Sequence, residues 1–201
     1  GEWYGGADCG VHTCPIMCAC CTGCPPAASC ASRTLASCNQ SDGRWTSGVS
    51  CGQVSCDLLG DVCVTDIQPA VDGDTAFDNR CATDDGPTPV NCDNGSQVFG
   101  KDLWFEYASS CTGALDVSLC DGTDFDAIIA IYTNGTGQCA CPADSSTQLG
   151  LGSDDSCGVG GGPPQVTRDV TFGTCYTIRV AGWSGAAGTG IMNIVCTPDQ
   201  C

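Results

Sequence analysis

Apolar residues in this chain fall in runs of strand length, and the clearest of them alternate. In residues 113–119 (GALDVSL), Leu115, Val117 and Leu119 share one face while Ala114, Asp116 and Ser118 share the other. That period of two belongs to a strand with one wet face. Residues 165–172 (QVTRDVTF) turn Val166, Val170 and Phe172 to one side, and residues 175–183 (CYTIRVAGW) do the same with Tyr176, Ile178 and Val180. Residues 102–107 (DLWFEY) predict an aromatic, partly buried strand, and residues 61–66 (DVCVTD) a short first one. In residues 125–133 (FDAIIAIYT) both faces are apolar, which predicts a central strand covered on two sides. The last run, 190–196 (GIMNIVC), follows a Gly- and Ser-rich connection and is expected to form an antiparallel hairpin with 175–183. One natural register sets Val180 against Ile191, Tyr176 against Val195 and Cys175 against Cys196, where a cross-strand disulfide fits.

Upstream of about residue 60 the alternation is missing and ten cysteines take its place. Such a segment buries too little apolar surface to fold unaided and needs cross-links. The expected organisation is therefore a cysteine-rich, loop-dominated module over 1–60, followed over 61–201 by an all-β, antiparallel β-sandwich of about eight strands. No segment combines an N-cap with an apolar stripe of ordinary helix length, so less than about a tenth of the residues are expected in helix.

Composition places the chain in a compartment. Twenty-one cysteines against one histidine, His12, is a density found where thiols are oxidised, so the protein is expected outside the cell or on its surface. The net charge of −17 excludes nucleic acid as a partner, because phosphate contacts need clustered cations, and it disfavours an anionic membrane. No run of eighteen apolar residues offers a membrane span. The N-terminal GEWYGGADCG has neither the basic start nor the apolar middle of a secretion signal, and residue 1 reads as the start of a processed chain.

Several segments in order suggest a family. They are DVC at 61–63, AFDNRCATDDGP at 76–87, DLWFEY at 102–107, CTGALDVSLC at 111–120, FDAIIAIYT at 125–133, SDDSC at 153–157 and CYTIRVAGWSGAAGTG at 175–190. This stretch, about two thirds of the chain, resembles the pre-peptidase C-terminal (PPC-like) domains of large secreted bacterial proteins of planctomycete type. The resemblance implies a jelly-roll or PPC-like sandwich and an accessory, non-enzymatic role in attachment, secretion or assembly. The upstream part resembles a short module of the same proteins, with Ala19-Cys20-Cys21, Ser29-Cys30, Cys38, Gly43-Arg44-Trp45, Cys51 and Cys56. Its six cysteines imply three bridges; Cys9, Cys14, Cys18 and Cys24 are extra to that pattern.

Candidate chemistry is sparse. Cys14, Cys18, Cys20, Cys21 and Cys24 beside His12 have spacings that suit either disulfides or a metal, and the oxidised surroundings favour disulfides. An odd total leaves at least one cysteine without an intrachain partner, either as a buried thiol or as an intermolecular bridge; Cys9 and Cys201, near the termini, are the candidates for the latter. Aspartates gather at Asp72/Asp74/Asp78, Asp84/Asp85, Asp121/Asp124/Asp126 and Asp154/Asp155. Loop carboxylates suit calcium, with Asp124, Asp126, Asp154 and Asp155 as expected ligands, although aspartate is also a turn former. Asn39, Asn94 and Asn134 open N-x-S/T acceptors and mark exposed turns. Trp3, Tyr4, Trp45, Trp104 and Trp183 are candidates for a sugar-stacking platform or for core.

No serine or cysteine triad is apparent around the sole histidine, and no catalytic residues are assigned. The expected function is that of a non-enzymatic structural subunit of an extracellular filament, sheath, stalk or surface layer; the alternative is a calcium-dependent module that binds polysaccharide or a cell surface. Self-association would use the uncharged GIMNIVC strand as a sheet edge that accepts the arm of residues 1–30 from a neighbour.

Overall fold

The computed structural model describes residues 17–24, 27–41, 43–53, 56, 58–89, 98–120, 122–133, 137–157 and 162–200. The chain divides into two compact units, Gly1–Asp57 and Leu58–Cys201. Within the described residues it is an all-β protein.

The smaller unit is more regular than loops alone. Strands β1 (Cys18–Thr22), β2 (Ser29–Arg33) and β3 (Arg44–Thr46) form a sheet in the order β2-β1-β3, with a five-residue helix α1 (Leu35–Asn39) between β2 and β3. Thr34 caps α1, its hydroxyl accepting from the Ser37 amide at 3.2 Å. Apolar alternation gives no sign of this sheet because sulfur occupies the place of hydrocarbon. Central β1 is buried from Cys18 to Cys21, and from it Cys20 bridges to Cys38 and Cys21 to Cys56, while Cys30 of β2 bridges to Cys51. Gly43 has to be glycine, since a Cβ there would meet the Cys20 and Cys38 sulfurs at 2.5 and 2.7 Å.

The larger unit contains β4 (Gln68–Ala70), β5 (Gly73–Asp78), β6 (Phe99–Ala108), β7 (Gly113–Ser118), β8 (Ala127–Tyr132), β9 (Gln165–Val170), β10 (Cys175–Trp183) and β11 (Thr189–Pro198). Two four-stranded sheets result, β4-β6-β10-β8 and β5-β11-β7-β9. All pairings are antiparallel except β4 with β6, which is parallel. One core joins both sheets. Leu103, Phe105, Ile129, Ile131, Ile178 and Val180 come from the first, and Phe77, Leu115, Val117, Val166, Met192 and Ile194 from the second. Phe77 and Phe105 touch edge to face across the layers, centroids 6.3 Å apart.

Four expectations need correction. Residues 61–66 are not a strand: Cys63–Asp66 is a one-turn helix, α2, because the Asp66 carboxylate accepts from the Val62 amide at 2.9 Å and from the Thr65 hydroxyl at 3.0 Å. Such side-chain bonds to nearby backbone compete with a ladder. Strand β8 is buried on both faces, yet it ends its sheet; Ser153 and Gln148 close its free side through bridges to Ile129 and Tyr132. Phe172 lies beyond the end of β9 in a turn and is 70% exposed.

The fourth correction concerns the terminal hairpin. β11 pairs with β5 and β7 in the opposite sheet from β10, so GIMNIVC is an interior strand and not an edge. After β10 the chain turns through Ser184 and Gly185, with φ of 54° and 85°, and is caught by Asn79. The Asn79 amide donates to the Gly188 carbonyl at 3.1 Å, and the Gly188 amide to the Asn79 Oδ1 at 2.8 Å. Asn79 Nδ2 donates in turn to the Lys101 carbonyl at 2.9 Å. Consequently Cys175 and Cys196 are not partners; Cys175 bridges to Cys139, and Cys196 to Cys111.

The outer face of β6 and β10 is covered as well. Trp104, Tyr132 and Ala130 pack there under Cys63, which is bridged to Cys141. Arg179 lies 3% exposed among them, its guanidinium 4.8 and 4.9 Å from the Phe99 and Trp104 ring centroids and 2.9 Å from Asp102 Oδ2. Its other N–H groups donate to the Pro87 carbonyl at 2.7 Å and to the Asp85 carbonyl. Burial outweighs the attraction of Arg179 and pushes Asp102 up to about 6.

This raised value sets a pH dependence. The folded state binds a proton near pH 6 that the unfolded chain takes up only near pH 4, so the stabilisation is fully present below pH 4 and lost as pH rises through 6. Denaturant titrations of the disulfide-intact protein should show Asp102 contributing on the order of 3 kcal/mol more stability at pH 4 than at pH 7. The Asp102→Asn variant should lack that increment.

Candidate functional site

Most of the aspartates are engaged one by one. Asp72 accepts from the Tyr107 hydroxyl at 2.6 Å, Asp74 from Asn193 Nδ2 at 2.6 Å, and Asp78 pairs with Arg80 at 2.8 Å. Asp84 accepts from the Lys101 amide at 2.6 Å, and Asp85 from the Trp104 indole. These groups shape turns and strand ends and do not converge on a common point.

Three others do converge. Asp126 immediately precedes β8, and its carbonyl accepts from the Trp183 amide at 2.9 Å, which fixes it at the end of the sheet. On the flank of β8, Ile129 and Ser153 exchange both backbone hydrogen bonds at 2.9 Å, so Asp154 and Asp155 leave the ladder at a defined place. The carboxylate oxygens of Asp126, Asp154 and Asp155 thereby lie within 4.8 Å of one another, Asp154 buried and the other two exposed. Burial, and then the charge of Asp155, hold the Asp126 carboxyl above its ordinary range. Two of the trio, Asp126 and Asp155, line an open cleft of about 570 Å³ together with Thr123, Asp124, Phe125 and Pro163. Phe125 backs it, packed edge to face on Phe77 with centroids 6.2 Å apart.

Asp124, the fourth expected ligand, lines the cleft but has other work. Its two oxygens accept from the Thr189 amide at 2.7 Å and the Thr189 hydroxyl at 3.0 Å, fastening the start of β11. The carboxylate also occupies the place that a Cβ on Gly188 would take. What remains is a set of three hard oxygen donors on short loops, which suits a calcium ion that completes its shell with carbonyls or water.

The other candidates divide. Among the described residues Cys18 is the free cysteine, buried in β1 with its sulfur accepting from the Gly48 amide at 3.2 Å. Cys20 and Cys21 are bridged and Cys24 is also disulfide-bonded, so these thiols are not available to a metal. Cys9, Cys14, His12, Cys201, Asp121, Trp3, Tyr4, Asn94 and Asn134 lie outside the described residues. Asn39 is exposed at the end of α1. Trp104 is core, Trp45 donates to the Arg33 carbonyl at 3.1 Å, and Trp183 is exposed. No family model, curated protein or solved structure matches the chain.

The charge of Asp155 adds to burial in raising Asp126, so removing it should undo part of the rise. In Asp155→Asn the Asp126 carboxyl should titrate closer to an ordinary aspartate, by carboxyl-carbon NMR across the acid range, while Asp144, held below its ordinary range by Ser146, stays where it was. An unchanged Asp126 titration would mean that the two carboxylates do not face each other.

Proposed function

We propose that the chain is a non-enzymatic structural module of an extracellular assembly, and the observation that carries this reading is its redundant cross-linking. The larger unit has a two-layer core, yet it is also stapled by Cys63–Cys141, Cys111–Cys196, Cys120–Cys157 and Cys139–Cys175. The first two span 78 and 85 residues. In the chain-entropy account a loop of that size contributes about 4 to 5 kcal/mol. A core of this extent folds without such help; bridges added to it slow unfolding and limit attack by proteases, the properties of material that must persist outside a cell. The resemblance of residues 61–196 to PPC-like domains supports the same role.

GIMNIVC offers no sheet edge for self-association, because that strand lies between β5 and β7. A second reading, a calcium-dependent surface-binding module, is favoured by the convergence of Asp126, Asp154 and Asp155, two of which line the cleft.

Two measurements separate the readings. Native material examined by electron microscopy and by gels with and without reductant should be polymeric if the first holds, and a monodisperse monomer at high concentration would overturn it. For the second, millimolar calcium should raise the thermal midpoint and EDTA reverse the rise, with Asp154→Asn weakening the apparent affinity on the order of tenfold or more. A midpoint indifferent to calcium would remove that reading.

A further inference from the structure

The outward face of the β5-β11-β7-β9 sheet is not covered as the outer face of β6 and β10 is. Its register builds rows that cross the strands. Asp74 lies opposite Asn193, Asn193 opposite Ser118, and Ser118 opposite Gln165. A second row sets Val195 against Asp116 and Asp116 against Thr167; a third sets Thr197 against Ala114 and Ala114 against Asp169. Ile191 stands opposite Ala76, and Ile191 and Val195 remain 46% and 47% exposed.

Three side-chain donors of this face are spent within it. Asn193 Nδ2 donates to Asp74 at 2.6 Å, Gln165 Nε2 to both Asp116 oxygens at 2.9 and 2.8 Å, and the Thr167 hydroxyl to Asp116 at 3.0 Å. What the face offers outward is mainly carboxylate lone pairs, those of Asp74 and Asp116 held in place by these donors, beside the Ser118 and Thr197 hydroxyls and with Ile191, Val195, Ala76 and Ala114 as apolar patches between. Among the described residues of this sheet no cation offsets it: Arg168 of β9 turns inward to the Leu149 and Leu151 carbonyls, and Arg80 is paired with Asp78.

We propose that this face docks a cationic polysaccharide, an amino-sugar polymer. Charge decides the sign of the partner, since Asp74, Asp116 and Asp169 would repel an anionic chain or the same face of a second copy. The described outward positions hold no Trp, Tyr, Phe or free Arg, the anchors on which protein interfaces concentrate their energy. An amino-sugar chain supplies ammonium and hydroxyl donors at every repeat and C–H faces for the apolar patches, and it gains affinity by repetition over many weak contacts.

The test is cosedimentation of the full chain with cross-linked chitosan beads at pH 6, alongside chitin and immobilised polylysine. Wild type should be retained on chitosan more tightly than on chitin, and retention should fall with salt. Asp74→Asn with Asp169→Asn should weaken it on the order of tenfold. Asp61→Asn with Asp144→Asn removes the same charge elsewhere, beside Thr83 and at the cap of residues 145–147, and should leave retention unchanged. Matching circular dichroism would establish that all variants fold. The proposal is overturned by no retention on chitosan, by equal losses in the two variant pairs, or by stronger face-dependent retention on polylysine, which would assign the surface to a basic polypeptide.

Discussion

The buried carboxamide of Asn79 determines how the larger unit is wired. The chain must leave β10 in one sheet and enter β11 in the other, and at that crossing the backbone has no ladder to join. Asn79 supplies substitute partners: it engages Gly188 through both its amide and its Oδ1, and reaches the Lys101 carbonyl through Nδ2. A buried polar group is tolerated only when its bonding capacity is met, and this one meets the needs of three segments at once. With the crossing fixed, β11 can lie between β5 and β7, and Met192 and Ile194 enter the shared core.

The cover over the other sheet is organised differently. There a full charge, Arg179, is enclosed between two rings and three oxygen-bearing partners, and Asp102 carries the cost of its burial as a raised proton affinity. The same residues hold the 84–89 segment by its carbonyls. Order in that irregular segment thus depends on a buried ion pair, whereas order at the acidic cleft depends on the backbone bridge between Ile129 and Ser153.

Period-two alternation made the faces of β7 and β10 legible in the sequence, and Val166 and Val170 of β9 with them, because the inward or outward sense of a side chain is a local property. Strand partners were not legible. The short link after Trp183 suits a hairpin as well as a crossing, and the residue that decides between them, Asn79, lies a hundred positions upstream. Residues 61–66 misled for the opposite reason, since a contact as local as Asp66 to Val62 outweighs strand propensity. Of the four aspartates expected to gather, Asp126, Asp154 and Asp155 do so; Asp124 does not, because its partner Thr189 sits on a strand whose position depends on the same crossing. In the smaller unit the sheet was hidden because its interior is mostly cysteine, bridged at Cys20, Cys21 and Cys38, which carries no hydropathic period.

The bridges also define a path for mechanical load. Tension entering at Cys63 passes through sulfur to Cys141, along Ala140 to Cys139, and through sulfur again to Cys175. From there it has only β10, the crossing and β11 to traverse before Cys196, where the Cys111 bridge ties the strand back to the turn between β6 and β7. Strands β6, β7, β8 and β9 lie off this route and cannot be drawn out as slack. Under a steady pull the larger unit should behave as a nearly inextensible link, yielding over the β10–β11 segment and no further until a disulfide is reduced.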